Sequence, residues 1–514
     1  MKVGYEMDDV VKDRKKIRIY YSLLITVLCI IAVSYAFFTL FLRQSDNNTL
    51  ASRTCFSTTF TEDSDKIGLS NEYPVVDSVG MKKQAFSFTI KNNCSSYVKV
   101  YITIDSEHRG STGSSYLDDN YIKYNLSPSG TKTSEYSLVG SKTLMDLDAG
   151  SKGYVLNTFY LGANEEKSYD LRLWIDENVT LEQGLGKSWD GKVVVVSEAS
   201  KEPTFAETIL ANNEVKAPIT TPGATISTSS EALLASTEDD YGTSYYFRGA
   251  VTNNYVEFAN KCWRIVRIGG DNTVKLILHN DNTSNASNPC SSSNNSTTVA
   301  FAHYNGSAYT SAFNPSFDDN AYIGFMYGIA GSTTYEETHA NTNKSTILTN
   351  LEKWYNNNLK TYESVIDDNV FCNDKSISGS GLGYGTNQTY YGTYGRLYTN
   401  KTPSLKCNGD LSKITSKIGL ITADELAFAG YVCGVGGAHS YLQENATEGV
   451  WWSLSPFGFG GDSVYVWDVY GVDGSLSVNY VNGDGGLRPY ISLRSNTMIS
   501  SGSGSSENPY VVGI

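Results

Sequence analysis

Residues 85–104 read AFSFTIKNNCSSYVKVYITI and carry the clearest structural pattern in the chain. Apolar side chains occupy every second position in two runs, Phe86 to Ile90 and Val98 to Ile104, and a turn signal at Asn92-Asn93 separates them. A period of two places one row of side chains in a core and the other row in solvent. The stretch therefore predicts two β-strands, each with one buried face.

The same pattern continues on the C-terminal side of this stretch. Leu171, Leu173 and Ile175 repeat the period of two, and Val193 to Val196 form a short apolar run. Several short strands with buried faces are typical of two packed sheets. We therefore expect residues 54–197 to form an all-β sandwich.

An apolar segment precedes this domain. Ile19 to Leu42 carry no charge, and at 1.5 Å per residue they are long enough to cross a hydrocarbon layer of ~30 Å. Basic side chains lie just before the segment, which favours a cytoplasmic N-terminus; they are Lys12, Arg14, Lys15, Lys16 and Arg18. The pattern predicts a cytoplasmic tail at 1–18, a single transmembrane anchor at 19–42 and extracellular domains. A cleaved signal peptide is the alternative, because Ser34-Tyr35-Ala36 has the spacing of a cleavage site.

The first domain resembles a known family. The run IGLSNEYPVVDSVGMKKQAFSFTIKNNCSSYVKVYITI at 67–104, behind a leader that contains SYAFF, is similar to the TasA/camelysin family of exported bacterial matrix proteins over residues 30–197. The resemblance implies a jelly-roll-like sandwich that assembles into a matrix or fibre by sharing strand edges. It also implies a leader handled by a dedicated signal peptidase. It does not imply a protease, because the chain lacks an H-E-x-x-H motif and its five histidines are dispersed.

Charge and cysteine content limit the partners and the compartment. A net charge of -14 argues against nucleic acid as a partner, because phosphate binding needs a basic surface. The cysteines outside the apolar segment have no C-x-x-C spacing, which favours disulfides over a zinc site. The expected pairs are Cys55–Cys94, Cys372–Cys407, and Cys262 with either Cys290 or Cys433, with one thiol left free.

Residues 198–236 are rich in Ser, Thr, Pro and Ala and are interpreted as a linker with a short helical patch at Phe205 to Leu210. A second domain is expected at 237–514. Its helix after Ser345 has one apolar stripe, and another helix begins at Thr422. The Asn-rich stretch 279–343 is interpreted as an exposed loop.

The second domain also carries a resemblance. Its motifs YYFRGAVTNNYVEFA, CWRIVRI, FCND, GLITADELAFAG, WWSLSP and GLRPYISL follow one another in the order of a bacterial surface module. The last part, an aromatic pair with Ser-Pro before a Gly-x-Arg strand, is similar to the C-type-lectin-like and formylglycine-generating-enzyme-like fold. The resemblance implies an α+β scaffold whose C-terminal strands and loops present a ligand-binding face. The enzymatic activity is not expected, because no cysteine pair follows Cys433.

Aromatic and small polar residues are concentrated near the C-terminus, where flat rings stack on sugars or enter protein pockets and Asp and Asn supply hydrogen bonds. Trp451 and Leu454 are predicted to be core residues, and Arg488 is predicted to be structural. The candidate ligand-binding residues are Trp452, Phe457, Phe459, Asp462, Tyr465, Trp467, Asp468, Tyr470, Asp473, Asn479, Tyr480, Asn482 and Asp484.

These patterns together predict a bacterial cell-surface display protein or adhesin, anchored in the membrane, that binds a glycan or protein on a neighbouring surface. The alternative is a structural matrix or fibre component that self-assembles through the sandwich. No catalytic constellation, metal site or cofactor motif is found in the sequence, so an enzyme is not expected.

Overall fold

The computed structural model of the chain describes residues 40–43, 56–60, 67–70, 72–110, 115–131, 133, 135–147 and 150–513. The chain divides into two compact units, and the boundary lies between Pro203 and Thr204. Within the described ranges, none of the helices has the length and apolar character that crossing a membrane requires. The predicted tail at 1–18 and most of the predicted anchor lie outside the described residues.

The C-terminal end of the predicted anchor is the part that the structure describes. Leu40–Arg43 form a strand, β1, that pairs antiparallel with Val194 to Ser197. Extended backbone that is hydrogen-bonded to a sheet cannot also be a turn of a transmembrane helix. The prediction that the span continues to Leu42 is therefore wrong.

Unit 1 is β-rich, as the sequence predicts. Its remaining elements are β2 (Phe56–Phe60), β3 (Ile67–Ser70), α1 (Asp77–Gly80), β4 (Phe86–Asn92), β5 (Val98–Ser106), β6 (Ile122–Pro128), β7 (Ser137–Leu138), β8 (Leu144–Asp146), β9 (Lys152–Leu161), β10 (Glu166–Ile175), α2 (Leu181–Gly184) and β11 (Ser188–Ala199). One sheet has the order β1-β11-β5-β9-β8, with β3 also on β11, and the other has the order β2-β4-β10-β6-β7.

Both sheets of unit 1 bury one face in a common core. Phe86, Phe88 and Ile90 of β4 are buried in the same core as the apolar side chains of β5, so the predicted alternation is confirmed. The two strands belong to different sheets, and the chain changes sheet after Asn92. The buried amide of Asn92 donates to the carbonyl oxygens of Ser96, Leu161 and Gly162, which satisfies backbone groups at this corner.

Unit 2 combines helices with two larger sheets. Its elements are α3 (Phe205–Asn212), β12 (Ala232–Asp239), β13 (Gly242–Gly249), β14 (Tyr255–Phe258), β15 (Lys261–Ile268), β16 (Val274–Asn280), β17 (His303–Tyr304), β18 (Ser307–Ala308), β19 (Thr310–Ser311), β20 (Met326–Tyr327), α4 (Tyr335–Thr338), β21 (Asn343–Lys344), α5 (Thr346–Asn358), β22 (Asn369–Cys372), β23 (Ile377–Ser378), β24 (Thr389–Tyr391), a π-helix (Tyr394–Asn400), β25 (Lys413–Ser416), α6 (Ala423–Ala429), β26 (Val450–Phe459), β27 (Val464–Tyr470), β28 (Ser475–Tyr480), β29 (Gly485–Gly486), β30 (Tyr490–Leu493), β31 (Ile499–Ser501) and β32 (Tyr510–Val512).

The sheets of unit 2 are mixed. The eight-stranded sheet has the order β12-β13-β15-β14-β32-β31, with β16 on β15 and β30 on β16. The seven-stranded sheet has the order β19-β29-β26-β24-β23, with β27 on β26 and β28 on β27. Three further pairs, β17 with β18, β20 with β21 and β22 with β25, are short ladders.

The predicted helices of unit 2 are confirmed. Ser345 caps α5, and the predicted apolar stripe of this helix is buried. Thr422 and Glu425 form the predicted capping box of α6, which ends at Gly430. Local sequence signals therefore determine both helix starts.

The predicted linker at 198–236 is wrong beyond Pro203. Phe205 and Ile209 of α3 are fully buried in the core of unit 2, and β12 pairs with β13. The segment between them is held by Glu231 and Arg248, which are both fully buried, with 2.9 Å between Glu231 Oε1 and Arg248 Nε. A paired internal charge of this kind fixes the segment to the unit rather than leaving it as a spacer.

Arg248 extends this attachment to other elements. Its guanidinium donates to the carbonyl oxygens of Ala427 and Phe428 in α6 and to the carbonyl oxygen of Thr225. Glu231 accepts hydrogen bonds from the backbone of Ile219. Polar composition alone does not reveal these long-range contacts.

The exposed loop predicted at 279–343 is also wrong. Phe301, Phe313 and Phe325 are buried in the core of unit 2. Its asparagines satisfy backbone groups in place of regular strands: the amide of Asn314 donates to Tyr322 and Gly324, for example. The stretch is irregular in backbone but is an internal part of the fold.

The cysteine prediction is confirmed where the structure describes it. Cys262 pairs with Cys290, and Cys372 pairs with Cys407. Cys94 is disulfide-bonded, while its predicted partner lies outside the described residues. Cys433 is free, so the open choice for Cys262 is decided in favour of Cys290.

Replacing Arg248 with alanine is expected to destabilise unit 2, because Glu231 would be left as an unpaired buried charge. The expected loss is about 3–5 kcal/mol in the free energy of unfolding, measured by urea denaturation. Lys216→Ala is the matched control, since the Lys216–Glu214 pair in the same segment is half exposed; its loss should stay within about 1 kcal/mol. Equal losses in the two variants would contradict the anchoring role of Arg248.

Candidate functional site: an aromatic surface

The structure separates the candidate ligand-binding residues into buried and accessible groups. Trp452, Phe459 and Trp467 are fully buried, and Asp468 is only 1% exposed. Trp452 donates from Nε1 to the carbonyl oxygen of Ser311 and belongs to the core. The prediction that these four residues contact a ligand is wrong. Their positions follow from the strand register.

β27 lies between β26 and β28, and its register assigns side chains to opposite faces. Tyr465 is paired with Tyr480 on one face, and Asp468 is paired with Ser477 on the other. The pairing between β26 and β27 shifts between Pro456 and Gly458. This irregularity leaves Phe457 as an extra residue, so it points toward Tyr465 while Phe459 enters the core.

Six aromatic side chains, two of them exposed and four half-buried, form one cluster, which we call the aromatic surface. The ring of Phe457 is at its centre, 5.3 Å from the ring centroid of Tyr394 and 6.4 Å from that of Tyr465. The buried ring of Trp467 lies edge-on to Phe457 at 5.2 Å and supports it. The members of the aromatic surface are Tyr390, Tyr394, Tyr398, Phe457, Tyr465 and Tyr480.

Three of these residues were not among the candidates from the sequence. Tyr390 lies in β24, and Tyr394 and Tyr398 lie in the π-helix that follows. Their rings stack in series, at 4.2 Å from Tyr390 to Tyr394 and 5.0 Å from Tyr394 to Tyr398. The spacing of four residues between these tyrosines was a signal that could have indicated a shared helical face.

Gly458 makes room for this stack. Tyr390 pairs with Gly458 across β24 and β26, and a Cβ atom on Gly458 would lie 2.8 Å from Cδ1 of Tyr390. That distance is shorter than van der Waals contact permits. The glycine therefore lets the Tyr390 ring lie over the backbone of β26 beside Phe457.

Polar groups border the aromatic surface. The rings of Tyr465 and Tyr480 are 4.6 Å apart and tilted by 38°, and their hydrogen bond, followed by burial, raises the pKa of Tyr465 to about 12. Asp462 is exposed in the turn between β26 and β27 and contributes to the same shift. Tyr398 and Tyr480 are 53% and 47% exposed. The surface therefore offers phenol groups beside the side chain of Asp462.

The remaining candidates are accessible or partly accessible but are not members of the ring cluster. Asn479 is half-buried on the face that carries Asp468. Tyr470 and Asp473 are exposed at the opposite end of β27 from Tyr465. Asn482 and Asp484 are exposed in the connection after Tyr480. The predicted structural residues Trp451, Leu454 and Arg488 are confirmed as fully buried.

One group of possible metal ligands occurs in unit 1. Glu107, His108 and Asp190 place one ligand atom each within 4.8 Å of one another. Glu107 is exposed, and the other two are half-buried. Carboxylates and an imidazole are acceptable ligands for a divalent ion, but among the described residues only three side chains offer ligand atoms here, fewer than the four of a structural zinc site.

No protein-family model matches the chain, and no curated protein matches it.

The buried carboxyl of Asp468 gives unit 2 a specific pH dependence. Burial raises its pKa to about 7, so the folded state retains a proton that the unfolded state releases near pH 4. The stability that the protonated Asp468 side chain contributes is fully present below pH 4 and is lost as the pH rises through 7. We expect the free energy of unfolding to fall by about 1–4 kcal/mol over this range. Asp468→Asn should remove this fall, as measured by urea denaturation between pH 4 and pH 8.

Asp473→Asn is the matched control, because Asp473 is an exposed carboxylate of the same hairpin. Its pH profile should follow that of the wild type. A profile unchanged by Asp468→Asn would contradict the assignment of Asp468 as a protonated core residue.

Proposed function

We propose that the protein is a bacterial cell-surface display protein or adhesin whose aromatic surface binds a glycan or protein on a neighbouring surface. The proposal rests on the cluster of six exposed or half-buried rings centred on Phe457. Isolated exposed aromatic residues are common, whereas a contiguous aromatic patch marks a binding site in a soluble domain.

The chemistry of the patch favours sugar-like ligands. Phenol rings present flat apolar faces together with hydroxyl groups, and the neighbouring Asp462 accepts hydrogen bonds from a ligand. Sugars present the complementary combination of apolar C–H faces and hydroxyls. A protein loop with exposed aromatic residues is the second class of ligand that such a surface accommodates.

The arrangement of the surface also suits binding. Its rings come from β24, the π-helix, β26, β27 and β28, which are joined in or next to one sheet. Side chains on regular, mutually packed elements lose little conformational entropy when a ligand binds. The disulfide between Cys372 and Cys407 closes the segment that leads into β24 and the π-helix.

We also propose a specific fold for each unit: a jelly-roll-like sandwich for unit 1 and a C-type-lectin-like scaffold for unit 2. The two packed sheets of unit 1 and the mixture of helices and sheets in unit 2 support these assignments. Disulfides support an oxidising, extracellular location, and a membrane anchor N-terminal to β1 is proposed from the sequence alone.

A glycan array with the full chain tests the binding proposal. We expect a defined set of glycans to bind, and we expect Phe457→Ala or Tyr480→Ala to weaken that binding by about 1–3 kcal/mol, since each variant removes a stacking face. Tyr470→Ala is the matched control, because Tyr470 is a similarly exposed tyrosine at the other end of β27. It should leave binding unchanged.

Three outcomes decide between the alternatives. Equal losses in Tyr470→Ala and Phe457→Ala would show that the aromatic surface is not the binding site. An array without any bound glycan, combined with binding of a cell-surface protein that Phe457→Ala abolishes, would identify a protein ligand. Ordered fibres that form equally well in Phe457→Ala would favour the structural matrix role.

A further inference from the structure

A second unusual site uses none of the six residues of the aromatic surface: a lysine and an asparagine meet inside unit 2. Lys275 of β16 and Asn369 of β22 are 4% and 8% exposed. The Nζ of Lys275 donates to Oδ1 of Asn369. Oδ1 is bonded to the amide carbon Cγ, so a nitrogen that donates to Oδ1 lies close to Cγ. The contact therefore places a nucleophilic atom beside an electrophilic one across 94 residues of sequence.

We propose that Lys275 and Asn369 form an intramolecular amide bond. In this reaction the lone pair of Lys275 Nζ attacks Cγ of Asn369, and the bond from Cγ to Nδ2 then breaks. The amine gives up a proton and the leaving nitrogen gains one, so a single ammonia molecule is released. No oxidant, reductant or cofactor is required, because the carbonyl carbon keeps its oxidation state.

The surroundings of Lys275 favour its nucleophilic form. Burial, together with the neighbouring charge of Arg267, lowers the pKa of this amine to about 7, although Glu425, Asp271 and Asp239 act in the opposite direction. An unprotonated amine has the lone pair that attack on a carbonyl needs. Lys275 is paired with Arg267 in the strand register, which explains why the two cations are neighbours.

The site also has space for the leaving group. Lys275 and Asn369 both line a cavity of about 100 Å³ that also contains Arg267, Glu425 and Tyr490. Such a volume accommodates a few waters, which can carry the proton and let ammonia escape. Within the described part of the chain, no hydrogen bond engages Nδ2 of Asn369 as a donor, so the leaving nitrogen is not held by a protein acceptor.

A second buried lysine provides the internal comparison. Lys375 is fully buried, and burial lowers its pKa to about 7 as well. Its Nζ divides its hydrogen bonds between Asn341 Oδ1 and the carbonyl oxygen of His339. The amide nitrogen of Asn341 donates to the carbonyl oxygen of Leu411, so the nitrogen that would have to leave is held by a protein acceptor. We therefore expect a covalent bond at Lys275 and only hydrogen bonds at Lys375.

Peptide mapping of the reduced, denatured full chain tests the bond without any variant. Trypsin cannot cleave after an acylated lysine, so the linked product should join residues 268–344 to residues 361–375. Its mass should be about 17 Da below the sum of the two peptides, because one ammonia is lost. Free peptides 268–275 and 361–375 as the main products would overturn the proposal.

Substitutions identify the two residues that form the bond. Lys275→Met and Asn369→Ala should each abolish the linked product and remove the deficit of about 17 Da from the intact mass, whereas Lys375→Met should retain the deficit. A deficit that persists in Lys275→Met would place the bond elsewhere and overturn the assignment. Because the wild-type map already decides whether the bond exists, poor folding of a variant leaves the test intact.

Discussion

The register of β27 between β26 and β28 is the constraint on which the candidate binding site depends. One shift in pairing, between Pro456 and Gly458, sends Phe457 to the accessible face and Phe459 to the core. Since side chains alternate between faces, a shift of the pairing by one residue would turn Tyr465 to the face that carries Asp468. The same register aligns Tyr465 with Tyr480 and buries Trp467 beneath Phe457.

Buried arginines hold the irregular parts of unit 2 in place around these strands. Arg248, Arg264 and Arg488 are fully buried, and each donates to a backbone carbonyl oxygen of a connecting segment: that of Thr225, Val251 and Leu442, respectively. A guanidinium has five donors, so one such side chain can satisfy several carbonyl groups that lack a strand partner. This explains how a unit with long connections forms one large core. It also provides the rigid support that a binding surface needs.

The sequence predicted features that depend on neighbours along the chain. The strand pattern at Phe86, the caps of α5 and α6 and the disulfide between Cys372 and Cys407 all follow from local spacing or composition, and the structure confirms them. The linker and loop predictions failed because contacts distant in sequence decide them. The burial of Glu231 depends on Arg248, and Phe301 is buried only because distant strands cover it.

The sequence predicted only part of the candidate site, because contacts distant in sequence decide the rest. Aromatic composition identified Phe457, Tyr465 and Tyr480, but a period of two could not anticipate the irregularity that separates Phe457 from Phe459. Tyr394 was missed because it joins the surface from a π-helix more than sixty residues earlier in the chain, and its contact with Phe457 is purely tertiary.

Hydroxyl-radical footprinting of the full chain tests whether the strand pairing leaves one set of aromatic side chains accessible and buries the other. We expect strong oxidation of the exposed Tyr398 and Tyr480 and measurable oxidation of the half-buried Phe457, with Trp452, Phe459 and Trp467 protected until the protein unfolds. Oxidation of Trp452 and Phe459 at rates equal to those of Tyr480 and Phe457 in the folded protein would contradict this expectation.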